Sequence, residues 1–185
     1  MSNQNLAKIW VWMLIVIWSP LSVLANEKRS SFDSSRYEEK YQFLRDPSQR
    51  TDFFDPVKYI PFNKSESLYL TLGGETRQHY EFIDNNNWGK GIQDKNGYYL
   101  QRYLVHGDLH AGERIRFFVQ LMSGVETGRN GGPRGVDKDS LAVNQGFIDI
   151  KLLDESKQSL TLRTGRQEIV FGSRRFFNYR ERPNM

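Results

Sequence analysis

The sequence contains no cysteine and only three histidines among its 185 residues. The missing thiols exclude disulfide bonds, thiolate metal sites, a cysteine nucleophile and a lipid anchor on an N-terminal cysteine. Charge of one sign is also scarce, because 26 Lys and Arg face 22 Asp and Glu and leave a net charge of +4. That excess is too small to indicate nucleic-acid binding. The chain has room for one ordinary folded domain.

Long apolar runs are missing after residue 25. Before it, Lys8 precedes a hydrophobic run from Ile9 to Trp18, Pro20 interrupts the run, and small or apolar residues lead to Ala25. This pattern is typical of a secretory signal peptide, and the run is much shorter than the roughly 20 residues of a membrane-spanning helix. We therefore expect a cleaved signal peptide over residues 1–25. The exported remainder is then soluble, peripheral, or a membrane β-barrel, whose strands contain no long apolar run.

Residues 26–67 are charged and rich in turn-forming residues, with prolines at positions 47, 56 and 61. Only Tyr37–Leu44 has the composition of a short helix. The segment also carries enough aromatic residues to pack against another part of the protein. We expect an extended arm with apolar anchors.

After residue 67 the pattern changes to period-two alternation of apolar and polar residues, which predicts antiparallel β-strands. Five runs show it: Leu68–Ile83, Tyr98–Ala111, Arg114–Glu126, Leu141–Leu153 and Leu160–Phe171. In the fifth run the pattern conflicts, because Leu160 and Leu162 share parity with Arg166 and Glu168. A β-bulge at Gly165 would resolve that conflict.

Three features favour an outer-membrane barrel over an ordinary sheet. The runs have about 11 to 16 residues, whereas globular strands average about 5 to 6 and a membrane strand needs about 9 to 11. Long polar loops at 84–97 and 127–140 alternate with short connections at 111–113 and 154–159, as in outer-membrane barrels. Aromatic residues near strand ends would form the girdles of such a barrel. They are Tyr69, Tyr80, Phe82, Tyr98, Tyr99, Phe117 and Phe171.

Several short motifs resemble the N-terminal part of the alginate export family, in order and spacing, over nearly all of residues 41–184. They include Leu44-Arg45-Asp46-Pro47-Ser48, Leu72-Gly73-Gly74-Glu75, Gln101-Arg102-Tyr103-Leu104 and Leu162-Arg163-x-Gly165-Arg166-Gln167-Glu168. The resemblance implies an outer-membrane β-barrel of about eighteen strands that passes an anionic polysaccharide or other small charged solutes. It implies outer-membrane lipid and periplasmic export components as partners, and neither nucleic acid nor a cofactor.

The resemblance also implies which side chains line the pore. The candidates are Arg77, Arg102, Arg116, Lys151, Arg166, Glu75, Asp108, Asp149 and Glu168. Five strands and the start of a sixth cannot close a single-chain barrel, since these begin at about 8 strands. We therefore expect residues 68–185 to be the N-terminal part of an incomplete barrel. Residues 26–67 would be a periplasmic arm that braces the rim, or a plug in the pore.

Three other constellations have both a functional and an ordinary interpretation. The side chains of His106, Asp108 and His110 share a strand face and would suit a metal, or they are polar residues of a pore wall. The glycine-rich segment 128–135 suggests a phosphate nest, or a flexible loop whose two arginines attract an anionic solute to the pore mouth. The arginines and aromatics of 163–180 suit single-stranded nucleic acid, which export argues against, or a pore.

The alternative is a soluble periplasmic β-barrel or sandwich that binds a sugar-like ligand. A soluble barrel places its apolar residues inside. The polar rows of this sequence are too charged to form such a core. We find no Ser-His-Asp set, nucleophile elbow or paired acid motif, and so we do not expect an enzyme.

Overall fold

The computed structural model describes residues 35–155, 158–169 and 184. These residues form one antiparallel sheet whose strands follow each other in chain order. The strands are β1 (Ile60–Pro61), β2 (Leu68–Glu81), β3 (Tyr98–Ala111), β4 (Ile115–Thr127), β5 (Asp139–Glu155) and β6 (Gln158–Arg166). The architecture is a partial β-barrel, so the predicted all-β antiparallel class is confirmed. The signal-peptide prediction lies outside the described residues.

The strand boundaries follow the predicted alternation closely. β3 has the predicted bounds, while β2 stops two residues early and β4 is shifted by one residue. β5 is longer than predicted at both ends, and β6 ends at Arg166, before the predicted Phe171, which lies outside the described residues. The two-residue β1 was not predicted, since so short a strand has no periodic signal.

The two faces of the sheet are inverted relative to a soluble protein. The polar rows are buried, with Arg102 only 5% and Gln145 only 2% exposed, whereas Val105 is 59% and Leu152 56% exposed. A soluble sheet buries its apolar rows instead, because burial of apolar area is the main driving force of folding. We call the two sides the polar face and the apolar face.

The connections differ at the two ends of the sheet. At one end β2 joins β3 through residues 82–97, and β4 joins β5 through residues 128–138. At the other end β3 joins β4 through residues 112–114 alone, where Gly112 has φ +64° and its N–H donates to the carbonyl of Ser67 at 2.7 Å. Long loops at one end and short turns at the other match the sequence prediction.

The predicted bulge at Gly165 is wrong. The register shift lies in β5, between Lys151 and Leu153, and the pairing of β6 with β5 is regular from Thr161 to Arg166. Gly165 serves a different purpose, because a Cβ there would collide with the carbonyl oxygen of Gly146. Its φ of +130° is also a conformation that L residues rarely adopt.

The arm contains no helix over Tyr37–Leu44, so that prediction is also wrong. Single 3₁₀ turns at Arg36–Glu38 and Gln42–Arg45 flank an extended Glu39 instead, with φ −66° and ψ 136°. Further along come a third turn, Pro47–Gln49, and the one-turn helix α1 (Asp55–Lys58). No helix among the described residues is long and apolar enough to cross a bilayer.

A small apolar cluster fastens the arm to the short-turn end of the sheet. Leu44, Tyr59 and Tyr69 are buried together, and Tyr41 packs against them. The carboxylate of Asp55 is buried as well, where it accepts hydrogen bonds from the backbone N–H groups of residues 51 and 52 at 2.8 and 2.7 Å. This buried carboxylate is therefore satisfied locally.

Candidate functional site

The candidate site is the polar face of β2–β6. Cross-strand pairing places residues directly opposite each other on the same side of a sheet. One such row contains His110, Arg116 and Asp149, and the next contains Asp108, Phe118 and Phe147. Period-two alternation in the five strands β2 to β6 therefore brings the polar rows to one face of the sheet.

An ion-pair ladder crosses this face from β3 to β6. Arg116 donates two hydrogen bonds to Asp108, at 2.7 and 2.6 Å, and its other terminal nitrogen lies 3.8 Å from Asp149. Asp149 in turn accepts two bonds from Arg163, at 2.6 and 2.8 Å. Such bidentate pairs fix the direction of each guanidinium as well as its position. The four charges sum to zero, so the ladder is a strip of alternating sign.

A second charged group lies further toward the long loops. Arg102 lies 3.4 Å from one carboxylate oxygen of Glu75, and Arg36 of the arm lies 2.7 Å from the other. Burial lowers the pKa of Arg36, but hydrogen bonds with Glu75 and Glu39 outweigh it and raise that pKa above its ordinary value. Arg36 therefore stays charged on the polar face.

An amide cluster completes the face near the end of β6. The side-chain amides of Asn144 and Gln145 donate to Gln120 at 2.8 and 3.1 Å, and both also donate to Glu168 at 3.1 and 3.2 Å. Glu168 thus reaches the polar side although it follows the last paired residue of β6. Among the described residues, its carboxylate accepts from these two side-chain amides.

The structure brings most of the sequence-predicted pore candidates onto this face, but in several separate groups. Asp108, Arg116 and Asp149 share the ladder, and Glu75 pairs with Arg102. The remaining three polar-face candidates lie apart from both groups. Lys151 pairs with Asp154 at 3.0 Å, Arg77 lies 3.4 Å from His79, and Glu168 lies in the amide cluster.

Arg166 differs from the expectation. Arg166 pairs with Gly146 of β5, which lies on the apolar face of the sheet together with Ile148 and Ile150. The side chain of Arg166 is exposed. The sequence interpretation gave Arg166 and Glu168 the same side because they share parity. The strand ends between them, however, and parity has no meaning outside a strand.

Arg163 takes the place on the polar face that was expected for Arg166. The parity of Leu160 and Leu162 already pointed to it, because two outward leucines turn residues 161 and 163 inward. The expected bulge at Gly165 obscured this signal. The contributions of Arg36 and Tyr37 had no sequence signal, since nothing in a non-periodic arm shows where it docks.

Two of the aromatics expected in girdles face the polar side instead. Tyr69 is buried and stacks on His110 with ring centroids 4.5 Å apart, and Tyr98 is buried below the guanidinium of Arg129 at 3.6 Å. Tyr80 and Tyr99 do lie exposed on the apolar face near the long loops. Both pairs of tyrosines lie near strand ends, and their positions in the alternation of each strand decide which face of the sheet they join.

The histidines of the polar face have neighbours of their own. His110 lies 3.2 Å from Asp108, and His106 stacks on Phe118 at 5.6 Å between ring centroids. Within the described residues no group of three or more histidine or acidic side chains is arranged to hold a metal ion.

The arginines of segment 128–135 are engaged within the loops. Arg129 is buried between Glu126, at 2.7 Å, and Asp94, at 3.4 Å. Arg134 forms an ion pair with Asp137. Arg129 therefore joins the two long loops, and it does not present a free cation at their surface as the sequence interpretation expected.

Comparison with known proteins assigns the family. The family model described as "Alginate export" matches residues 68–185, which is well over half of the chain and begins with β2. No curated protein and no solved structure matched the chain significantly. With the partial barrel and its inverted faces, this match establishes that the chain belongs to the alginate export family, a family of outer-membrane transport proteins.

Proposed function

We propose that this chain forms part of the wall of an outer-membrane channel that passes an anionic polysaccharide of the alginate kind, or other small charged solutes. The observation that carries the proposal is the inversion of the sheet. Buried charged rows on one face and exposed apolar rows on the other suit a wall between a polar lumen and lipid. In this proposal residues 1–25 are a signal peptide that is removed on export.

The apolar face supports contact with lipid. Its exposed side chains include Val105, Val119, Leu121, Val143, Leu152 and Leu162. Burial of one such side chain is worth about 1.5–3 kcal/mol, so a soluble protein would lose that stabilisation at every position. Exposed Tyr80, Phe82 and Tyr99 at the long-loop ends of β2 and β3 fit the aromatic band at a membrane interface.

The polar face supports passage of an anion. Guanidinium groups keep their charge and bind carboxylates through two parallel hydrogen bonds. The aspartates of the ladder hold Arg116 and Arg163 in place and weaken their grip on a passing carboxylate. Conduction needs sites that attract a solute without trapping it, and a ladder of alternating charge supplies them. Periplasmic export components would deliver such a solute.

The strand order supports a wall that other strands complete. Within the described sheet β1 and β6 are the two ends, while single-chain barrels have at least about 8 strands. An unpaired strand edge in lipid is costly, because its N–H and C=O groups find no partner there. We therefore propose that residues 68–185 are one part of a larger barrel.

The test is the reversal potential across a planar bilayer under a salt gradient, measured with the protein purified from outer membranes. We expect anion preference, and a shift toward cations in Arg116→Gln and Arg163→Gln. Lys138→Gln, in an exposed loop, makes the same charge change away from the ladder and should leave the potential unchanged. Heat-modifiable migration in gels confirms that each variant is folded.

Correctly folded protein that gives no conductance would contradict the channel. Extraction of the protein from cells without detergent would favour the soluble sugar-binding alternative. Conductance with no change in either arginine variant would keep the channel and remove the ladder from its selectivity.

A further inference from the structure

The polar face is partly covered by the chain itself. Residues 36–44, which we call the inner arm, lie against the side of the sheet that the proposed function assigns to the lumen. We infer that the inner arm is a second wall of the pore constriction and that Tyr37 decides which solutes pass. This inference rests on the proposed function.

Tyr37 is inserted among three side chains of the sheet. Its ring meets Phe118 and Phe147 edge-on, with centroids 5.9 and 5.4 Å apart and interplanar angles of 76° and 89°. The guanidinium of Arg163 lies 4.4 Å from the centre of the same ring. Edge-to-face and cation–π contacts of this kind hold a ring in one orientation.

Polar contacts fix the inner arm on either side of that ring. Arg36 donates to Glu75 at 2.7 Å, and Gln42 donates to the hydroxyl of Tyr69 at 2.9 Å. The backbone carbonyl of Tyr37 accepts a hydrogen bond from Arg116. The inner arm therefore engages Arg116 and Arg163, the two cations that the proposed function gives to a passing anion.

The inner arm lies on the sheet without close packing along its whole length. Every residue from Arg36 to Phe43 keeps some exposure, although the side chain of Glu39 is only 5% exposed. Leu44, with Tyr41 packed against it, joins the apolar cluster at the short-turn end. A cavity of about 450 Å³ remains between the inner arm and the sheet, lined by Lys40, His110, Arg116 and Arg163 among others. Solid packing would leave no such space.

Tyr41 is held by the hydrogen bond of its hydroxyl. Burial and a hydrogen bond to Glu39 raise the pKa of Tyr41 above its ordinary value, and its hydroxyl donates to that carboxylate at 2.6 Å. Tyr41 and Leu44 thus anchor one end of the inner arm, while Tyr37 lies over the ladder. Movement about this anchor would widen the opening without unfolding the sheet.

The first test compares Tyr37→Ala with Phe43→Ala in planar bilayers, with wild-type protein beside them. Phe43 is a partly exposed aromatic of the same segment, whose ring contact is with Tyr41 at 6.4 Å, so it controls for truncation as such. We expect Tyr37→Ala to raise single-channel conductance and to shift upward the size of polyethylene glycol that enters the pore. Phe43→Ala should match wild type.

The second test measures protection directly, because the chain has no native cysteine. Phe118→Cys introduces a thiol beneath Tyr37, and we expect a charged, water-soluble thiol reagent to react with it slowly. Adding Tyr37→Ala should accelerate the reaction, and adding Phe43→Ala should not. This readout requires a folded protein but no conductance.

The outcomes separate this inference from the proposed function. A wild-type channel whose conductance, polymer cut-off and thiol reactivity are unchanged by Tyr37→Ala would overturn the inner arm's role and leave the channel intact. Absence of conductance in every folded form would overturn the channel, while the thiol experiment would still show whether Tyr37 covers the polar face.

Discussion

The position of each arginine in the ladder is set by its hydrogen bonds to an aspartate. Arg116 and Arg163 each form a two-bond contact with an aspartate, so their charge stays at a fixed place on the wall. A lysine could supply the charge but not the paired geometry. The preference for arginine in this ladder follows from geometry as much as from charge.

Position 165 requires glycine because the backbone of β5 lies very close to it. We predict that Gly165→Ala destabilises the protein by about 1–3 kcal/mol, because its φ of +130° strains any L residue and the added methyl meets Gly146 and Phe147. Urea unfolding in detergent micelles measures the loss. Gly135→Ala is the matched control, since open space surrounds that position. Equal stability of the two variants would show that β6 does not pack as closely as described.

At the scale of elements, the two long loops behave as one unit. The carboxylate of Asp94 in the first loop accepts from the backbone N–H of Asn130 in the second at 2.6 Å, and the side chain of Asn130 donates to the carbonyl of Gln93 at 2.9 Å. Arg129 joins them through its ion pairs and its position 3.6 Å from the ring centre of Tyr98. We infer that the mouth of the proposed pore is bordered by two loops that hydrogen bonds and ion pairs hold together.

We predict that Arg129→Ala loosens this pair. The change leaves Glu126 and Asp94 without their shared cation, and unpaired buried carboxylates repel each other and bind water poorly. Both loops, 82–97 and 128–138, should then be cut faster by protease added to intact cells. Arg134→Ala removes a half-exposed partner of Asp137 and should accelerate cleavage less. The same cleavage rate in both variants would contradict the clamp.

How far the sequence predicts these elements depends on periodicity. Strands β2 to β4 have 14, 14 and 13 residues and alternate regularly, so their faces were predicted along almost their whole length. In the 17-residue β5, register shifts against β4 move Val143 to the apolar face, which the alternation did not predict. Arg166 was assigned to the wrong face of the sheet because a bulge was expected at Gly165, and the bulge that does occur, at Lys151 and Leu153, gives no sequence signal. The docking of Tyr37 was beyond prediction, because its partners Phe118 and Phe147 are distant in sequence.

At the scale of the whole molecule, one property connects fold and function: the sheet is apolar where it is exposed and polar where it is buried. Water would oppose that arrangement, whereas a bilayer on one side and a lumen on the other support it. The family match over residues 68–185 begins with β2, covers β2 to β6 and excludes the inner arm. The inner arm is therefore a feature of this chain outside the matched region.

The measurement that tests this account most directly is a scan of single cysteines at positions 117–122 of β4, each labelled with a fluorophore, in bilayers of brominated lipid. Residues alternate between the two faces along this strand, with Val119 and Leu121 exposed and Phe118 and Gln120 buried. We predict quenching by lipid at positions 117, 119 and 121 and protection from it at 118, 120 and 122. Absence of lipid quenching at the odd positions, or the reverse alternation, would contradict an outer-membrane wall.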